Sequence, residues 1–496
     1  LLWFRLDLRL ADNPALAEAM TRATTVVPVF IWSPAEEAPW PPGAASRWWL
    51  HHSLSSLDAA LRRRGSRLVV ASGPPLHVLR QLVRQTGARH VVWARRYEPA
   101  LREHDAELKR RLAGDGIDAV EVPGNLLSEP WETANASDKP FQVFSAYWRS
   151  VRTAANPPSG GPPPRRIRGP RRWPRSLEIA DLKLLPRPDW AGGLRAAWRP
   201  GERGARLELR RFQREALGDY ATGRDRLGYA GTSRLSPHLH FGEICVRRIW
   251  QDTLAKTGGP AGASKDVEAF LRELVWREFA HHLLYHFPHT TTEPLRPAFA
   301  RFPWSKDRSR LRAWQRGRTG FPVVDAGLRQ LWQSGWMHNR ARMIVASFLV
   351  KQLLVPWQEG AAWFWDTLVD SDLANNTLGW QWSAGCGADA APYFRVFNPV
   401  LQGKKFDADA AFVRRWVPEL ARLPDRWIHR PWMAPPAILE AAGVELGASY
   451  PEPLVDLASA RTRALKAFTA VRAERSGRKD APRRPRNAQG IRQPQP

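Results

Sequence analysis

Residues 366–399 read DTLVDSDLANNTLGWQWSAGCGADAAPYFRVFNP. Between Asp370 and Trp382 this run gathers two carboxylates (Asp370, Asp372), two amides (Asn375, Asn376) and two tryptophans (Trp380, Trp382). Asp, Asn, Thr and Gly at such density compete with the helical backbone for hydrogen bonds or add chain freedom. The segment is expected to be a polar loop held between aromatic-rich helices. Just upstream, GWMHNRARMIVASFLVKQLLV (335–355) predicts one long apolar helix over 337–354. Asn339 and Met343 stand four apart in it, so they share a face and can line one pocket.

Outward from this run, residues 201 to about 475 are helical in pattern. Amphipathic periods predict helices over 203–217, 241–254, 267–287 and 325–335. The first 125 residues differ. Short β-branched runs at 1–5, 25–32, 67–71, 90–94 and 119–123 alternate with helical stretches such as 45–64 and 76–85. That alternation predicts a parallel five-stranded sheet with helices on both faces. Asp12-Asn13-Pro14 supplies a helix start. No GxGxxG or P-loop follows a strand, which argues against dinucleotide or nucleotide-hydrolase chemistry. Residues 126–200, with their Asn156-Pro-Pro-Ser-Gly-Gly-Pro-Pro-Pro run, read as a linker, and 476–496 as a disordered basic tail.

The chain has 496 residues and a net charge of +27, from 75 Lys+Arg against 48 Asp+Glu. Such an excess suits a polyanion held through phosphates. Twenty-five tryptophans suit core packing, base stacking or electron hopping. Cys245 and Cys386 alone cannot build a zinc or iron–sulfur site, so no metal is expected, and their scarcity suggests a reducing, cytoplasmic setting. No apolar run spans a membrane and no leader is evident at the first residues; the absent initiating Met suggests that a few native residues precede them.

Several motifs together carry a resemblance. They are Gly335-Trp336-Met337-His338-Asn339-Arg340, Asp370-x-Asp372-Leu373, Asn375-Asn376, Trp380-Gln381-Trp382 and Asp389-Ala390-Ala391-Pro392-Tyr393-Phe394-Arg395, with Phe397-Asn398-Pro399 and Lys405-Phe406-Asp407 beyond. The chain resembles the DNA photolyase/cryptochrome family, and within it the class I cyclobutane pyrimidine dimer photolyases. The opening WFRLDLRLADNPAL is similar to that family's N-terminal signature. The resemblance implies a Rossmann-like α/β domain for an antenna chromophore over 1–125, the linker over 126–200, and an all-α FAD-binding catalytic domain over 201–475. It implies reduced FAD as cofactor and UV-damaged DNA, single- or double-stranded, as partner. It also implies a monomer, nucleoid-associated when on DNA.

Residue roles follow from the same resemblance. Thr232, Ser233, Arg234, Leu235 and Ser236 would bind the flavin phosphates, with Tyr220 as a further contact; an ordinary helix cap is the plain alternative. Glu273, Trp276 and Arg277 share a helix face. Glu273 would hydrogen-bond the damaged base, Trp276 stack on it and Arg277 contact the cofactor, where an isolated Glu–Arg pair would be only a helix salt bridge. Phe270 stands where the family often has Trp, which keeps a stacking contact without the indole N–H. Arg342 and Asp370 resemble the ion pair beside the isoalloxazine, Asp372 would accept from the ring edge, and Asn376 would face N5. An amide there cannot donate a carboxylic proton, which favours reduced anionic flavin. Trp380, Trp357 and Trp304 fall at the electron-hopping positions, and Trp382 in the lesion pocket. Arg224 and Arg340 would grip flanking phosphates. Asn339 and Met343 are not ionisable, whereas enzymes acting on the (6-4) photoproduct carry His at both positions, so the cyclobutane dimer is the expected substrate.

Two other functions remain open from sequence. A cryptochrome-like photoreceptor would share the flavin site, and a single-strand nucleic-acid binder would share the charge and aromatics. Tyr97-Glu98 resembles the folate-binding edge of some relatives, although the facing loop 290–294 departs from it. Methenyltetrahydrofolate is the expected antenna, with a deazaflavin or no antenna as the alternatives.

Overall fold

The computed structural model describes residues 1–477 except 136, 155–159, 257–258, 260–261 and 391–393. Five strands form one parallel sheet: β1 (Leu2–Phe4), β2 (Pro28–Trp32), β3 (Val69–Ser72), β4 (His90–Ala94) and β5 (Asp118–Val122), in the order β3-β2-β1-β4-β5. Leu2 pairs with Pro28 on one side and Val92 on the other. Alternate residues enter opposite cores, as a period of two requires. Leu2, Phe4, Phe30 and Val92 pack beneath α1 (Pro14–Arg22) and α2 (Ala44–Arg62), while Trp3, Val29, Val91 and Trp93 pack beneath α3 (Pro75–Thr86) and α4 (Pro99–Gly114). Asn13 caps α1 by accepting from Leu16 N, with Pro14 at the first turn. All five predicted strands are present.

The segment from 126 to 200 is more ordered than its composition suggests. It carries α5 (Phe144–Ala154), whose Phe144, Tyr147, Trp148 and Val151 are buried against the helical part. Ile167 and Leu182 reach the sheet core, and Leu177 bridges Val70 antiparallel. The Asn156–Ser159 part of the Pro/Gly run lies outside the described residues.

Beyond residue 200 the chain is helical. The elements that build the site are α6 (Glu202–Glu215), α7 (Ser236–His240), α8 (Val246–Ala255), α9 (Lys265–His286), α10 (Pro322–Ser334), α11 (Asn339–Ser347), α12 (Trp357–Thr367), α13 (Leu373–Ala384) and α14 (Leu457–Gly477). Three expectations need correction. Residues 373–384 are helix, not loop. Asp372 accepts from Asn375 N at the N-cap, and Leu373, Ala374, Thr377, Trp380 and Gln381 supply a buried face that outweighs poor propensity. The helix expected over 337–354 starts only after His338, whose ring caps it, and its end from Phe348 to Gln352 winds as a π turn. The helix expected from 241 begins at Val246, because Gly242 at φ +62° packs against the Leu6 carbonyl. Of the expected tail, 476–477 close α14 and 478–496 lie outside the described residues. No described helix is long and apolar enough to cross a membrane.

The two parts share a core. Trp198, Phe241, Trp336 and Val369 pack into the α1/α2 side of the sheet. Glu243, fully buried, accepts from Trp49 Nε1 (2.9 Å), Ser53 Oγ (2.7 Å) and Gly201 N (2.7 Å). A buried carboxylate needs such donors, and these come from both parts of the chain.

Candidate functional site

Helix α13 orders the site. Its cap residue Asp372 uses Oδ1 for Asn375 N (2.8 Å) and Nδ2 (2.6 Å). Oδ2 faces His281 Nε2 at 3.5 Å and His240 Nδ1 at 4.0 Å. Burial alone would raise the Asp372 pKa, but the charge and hydrogen bond of His281, with His240 and Arg277 behind, pull it well below the usual carboxylate range. Next to it, Asp370 accepts at both oxygens from Arg342 Nη2, at 3.0 and 2.8 Å, and Arg342 Nε donates to Met337 O. Asn376 Nδ2 donates to Ala361 O at 3.0 Å, which leaves its carbonyl oxygen as an acceptor.

The phosphate-loop residues lie beside this cluster. The Thr232 carbonyl accepts from Arg211, Ser233 Oγ accepts from Leu235 N, and Ser236 Oγ lies 3.4 Å from Trp336 Nε1. Arg234 rests over Trp198 at 4.2 Å and Trp336 at 5.4 Å. Helix α7, which they open, has only five residues. A second group forms around α9. Tyr220 and Phe270 stack edge to face at 5.4 Å, and Arg224 pairs with Glu273. Trp276 lies flat on Phe144 with centroids 3.7 Å apart, so one indole face is already covered. Arg277 donates to Asn125 O (2.8 Å) and Glu278 (3.0 Å), which ties it to the segment after β5.

On α11, Asn339 is exposed at the first turn and Met343 half-buried. Arg340 pairs with Asp225 at 2.7 Å and lies over the Phe406 ring. Both arginines expected to grip phosphates are thus paired with carboxylates. Met343 and Trp382 line one small cavity with Lys351. Trp380 is buried against Phe364 (4.9 Å) and Trp314 (6.2 Å). Trp357 sits in the same core and Trp304 packs on its edge against Phe302, but neither forms a ring pair with Trp380 among the described residues. Sequence reading missed Trp314, and only its buried ring contact reveals it.

The arrangement fits a flavin. Among the described residues, Arg234 Nε and Trp380 Nε1 are buried around this cluster without a hydrogen-bond partner, and His240 Nδ1 has only Asp372 Oδ2 at 4.0 Å. Unsatisfied buried polar atoms imply a partner that the protein does not supply. A polar aromatic cofactor with phosphates matches them in chemistry, and Arg342, Asp370, Asp372, Asn376 and residues 232–236 are the groups that would hold it.

A second cavity, about 210 Å³, opens between the sheet and the helices. Its walls include Trp32, Glu37, Arg96, Glu98, His240 and Trp365. The chain leaves the ends of β1, β2 and β4 here, and the order of the sheet reverses between β1 and β4. Open parallel sheets bind ligands at such points. Burial raises Glu37 to about 7. Glu98 lines this cavity, but Tyr97 does not. Its hydroxyl bonds Glu129 at 3.1 Å and it is buried beside Gly124, so the expected Tyr97-Glu98 edge is half structural. Thr291, from the loop expected to face that edge, also lines the cavity.

Residues 1–165 match the family model described as DNA photolyase, and residues 270–470 match the FAD binding domain of DNA photolyase. A deoxyribodipyrimidine photo-lyase of Agrobacterium fabrum is 48% identical over 95% of this chain and 98% of its own. Cryptochrome-2 of Arabidopsis thaliana is 41% identical over 95% of this chain and 79% of its own. Among solved structures, a bacterial class III photolyase from Agrobacterium tumefaciens superposes with a TM-score of 0.91 at 47% identity, covering 95% of this chain and 97% of that one. The architecture, the flavin-shaped cluster and these end-to-end matches agree: the chain belongs to the photolyase/cryptochrome family.

Proposed function

We propose that this protein splits cyclobutane pyrimidine dimers in UV-damaged DNA, driven by blue light. Helix α13 carries the reading. It bears Asn376, Trp380 and Trp382 within two turns, so cofactor contact, electron entry and lesion contact rest on one rigid element. Reduced FAD, excited by light, supplies the single electron when bound. A dimer inside a duplex is out of reach, and photolyases are a stock example of enzymes that flip their target out of the stack. On the dimer, one electron enters, the C5–C5 and C6–C6 bonds break, and the electron leaves two intact pyrimidines, so no reductant is consumed.

The chain's share is positioning and charge. Trp276 offers its uncovered face to the flipped base, and Glu273 can leave Arg224 to hydrogen-bond it. Asn339 and Met343 add contacts without a titratable proton, which supports the cyclobutane dimer over the (6-4) product. Arg342 and Asp370 form a fixed ion pair that would border the flavin ring, and the Asn376 carbonyl would accept from an N–H donor there. Trp380, with Trp357 and Trp304, would relay electrons from the surface to restore the reduced cofactor. Within the family the motifs resemble class I enzymes, while the 47% identical structure is a class III photolyase and supports a place beside it.

The cavity at the sheet's switch point would hold the antenna. We assign it methenyltetrahydrofolate, with Glu37 neutral enough near pH 7 to donate to a ring heteroatom; release by denaturation and a mass spectrum would tell folate from deazaflavin or from none. The net charge of +27 and the photolyase relatives support action on single- or double-stranded DNA, and we propose a monomer working in the cytoplasm.

The test is repair in the light. Reduced protein and an oligonucleotide with one thymine dimer are illuminated, and recovery of thymine absorbance is followed beside a dark control. Light-dependent recovery supports the reading. Similarity to Arabidopsis cryptochrome-2 favours one other, a photoreceptor, and a yellow protein that repairs nothing would point to it.

A further inference from the structure

Helix α13 ends at Gly385, which takes φ +85°. The last carbonyls of a helix lack intrahelical donors and carry the negative end of its dipole. Lys351 fills this place: Nζ donates to Ala384 O at 2.9 Å. The same ammonium stands 3.1 Å from the centroid of the Phe394 ring. Lys351 is 2% exposed, and no carboxylate among the described residues pairs with it. Burial draws its pKa well below the ordinary lysine value, and the nearby Cys386 opposes that shift only weakly. A buried polar group is costly unless it is hydrogen-bonded, and this amine spends its bond on the end of α13.

The π turn aims this side chain. Such turns recur at functional sites. Here, Lys351 reaches Ala384, Gln352 Nε2 donates to Phe397 O at 2.5 Å, and Ser347 Oγ accepts from Phe397 N at 3.4 Å. One helix end thus grips both ends of the segment from Ala384 to Phe397. That segment begins two residues after Trp382 and contains Arg395. Lys351, Met343 and Trp382 also line one cavity of about 30 Å³.

We infer that Lys351 is a positioning residue for lesion recognition, capping α13 and clamping the returning segment so that Trp382 meets the DNA at a fixed place. The inference rests on the photolyase reading above. The holoenzyme is compared with Lys351→Met, which keeps the length and loses the donor, and Lys351→Gln, which keeps a donor and loses the charge. We expect Lys351→Met to raise KM for the dimer oligonucleotide about tenfold, with kcat, bound FAD and its absorbance little changed, and Lys351→Gln to recover part of the loss. Hydrogen exchange of residues 380–390 and 394–397 should quicken in Lys351→Met while β1–β5 stay protected. An unchanged KM, or a fall in kcat equal to the rise in KM, overturns the recognition role. Unchanged exchange overturns the clamp whether or not the protein repairs DNA. If the wild type repairs nothing, the functional reading falls alone, and exchange still decides the clamp.

Discussion

Trp276 and Phe144 stack at 3.7 Å with their planes 7° apart. One belongs to the helix that carries Glu273, the other to the segment that follows the sheet. The contact gives a proposed base-stacking indole a rigid back wall. Phe144→Leu keeps most of the volume, so stability should fall by only about 1 kcal/mol. Affinity for a dimer-bearing oligonucleotide should fall severalfold as the indole gains freedom, while bound FAD stays constant. Fluorescence anisotropy and thermal melting separate the two effects.

Asp370 and Arg342 should behave as one unit. Asp370→Ala would strand a mostly buried guanidinium. A cost of about 3 kcal/mol is expected, as for other broken buried pairs. The variant should also purify with far less flavin, read from its absorbance near 450 nm. Full flavin content would show that the pair does not border the ring.

Acid should destabilise the fold through two neutral histidines. His282 Nδ1 donates to Pro130 O at 3.1 Å and Nε2 accepts from Phe141 N at 3.0 Å, so a second proton has no place. Burial, then His286, lower its pKa to about 4, and burial likewise lowers His338 to about 4. Unfolded, both take protons near 6.5. The unfolded chain therefore binds more protons as pH falls from about 6.5 to 4, and stability falls with it. Denaturant melts at pH 7, 6 and 5 check this, and His282→Gln should flatten the slope.

Electron supply and repair should separate at Trp380. Trp380→Phe is expected to block light-driven reduction of bound FAD, followed by bleaching near 450 nm with an external thiol, yet to leave repair by chemically reduced protein largely intact. Trp304→Phe should slow the same bleaching. Trp314→Phe, altering a ring that touches Trp380 off the proposed route, should change stability more than rate. Equal bleaching in Trp380→Phe would remove it from the path.

Much of this is legible in the sequence alone. The strands announced themselves because Leu2, Trp3 and Phe4 are apolar on both faces, as a buried parallel sheet demands. Asp370, Asp372 and Asn376 were legible as a set. Their setting was not: the cap at Asp372, which accepts from Asn375, and a buried face turned an expected loop into helix α13. The α5 helix was hidden in a segment judged by its prolines. The Trp276–Phe144 stack and the Lys351–Ala384 bond join residues far apart in sequence, and no local pattern encodes them. Tyr97 looked like a ligand edge until its hydroxyl was seen on Glu129.

The shared core between sheet and helices has a bearing on how such chains diverge. Trp49, Trp198, Glu243 and Trp336 come from four separate stretches, yet they meet in one place. A chimera spliced near residue 200 would draw Trp49 and Trp198 from one parent and Glu243 and Trp336 from the other. Exchange between relatives should therefore succeed only where those four are inherited together, so heredity in this fold follows the seam rather than the order of the gene.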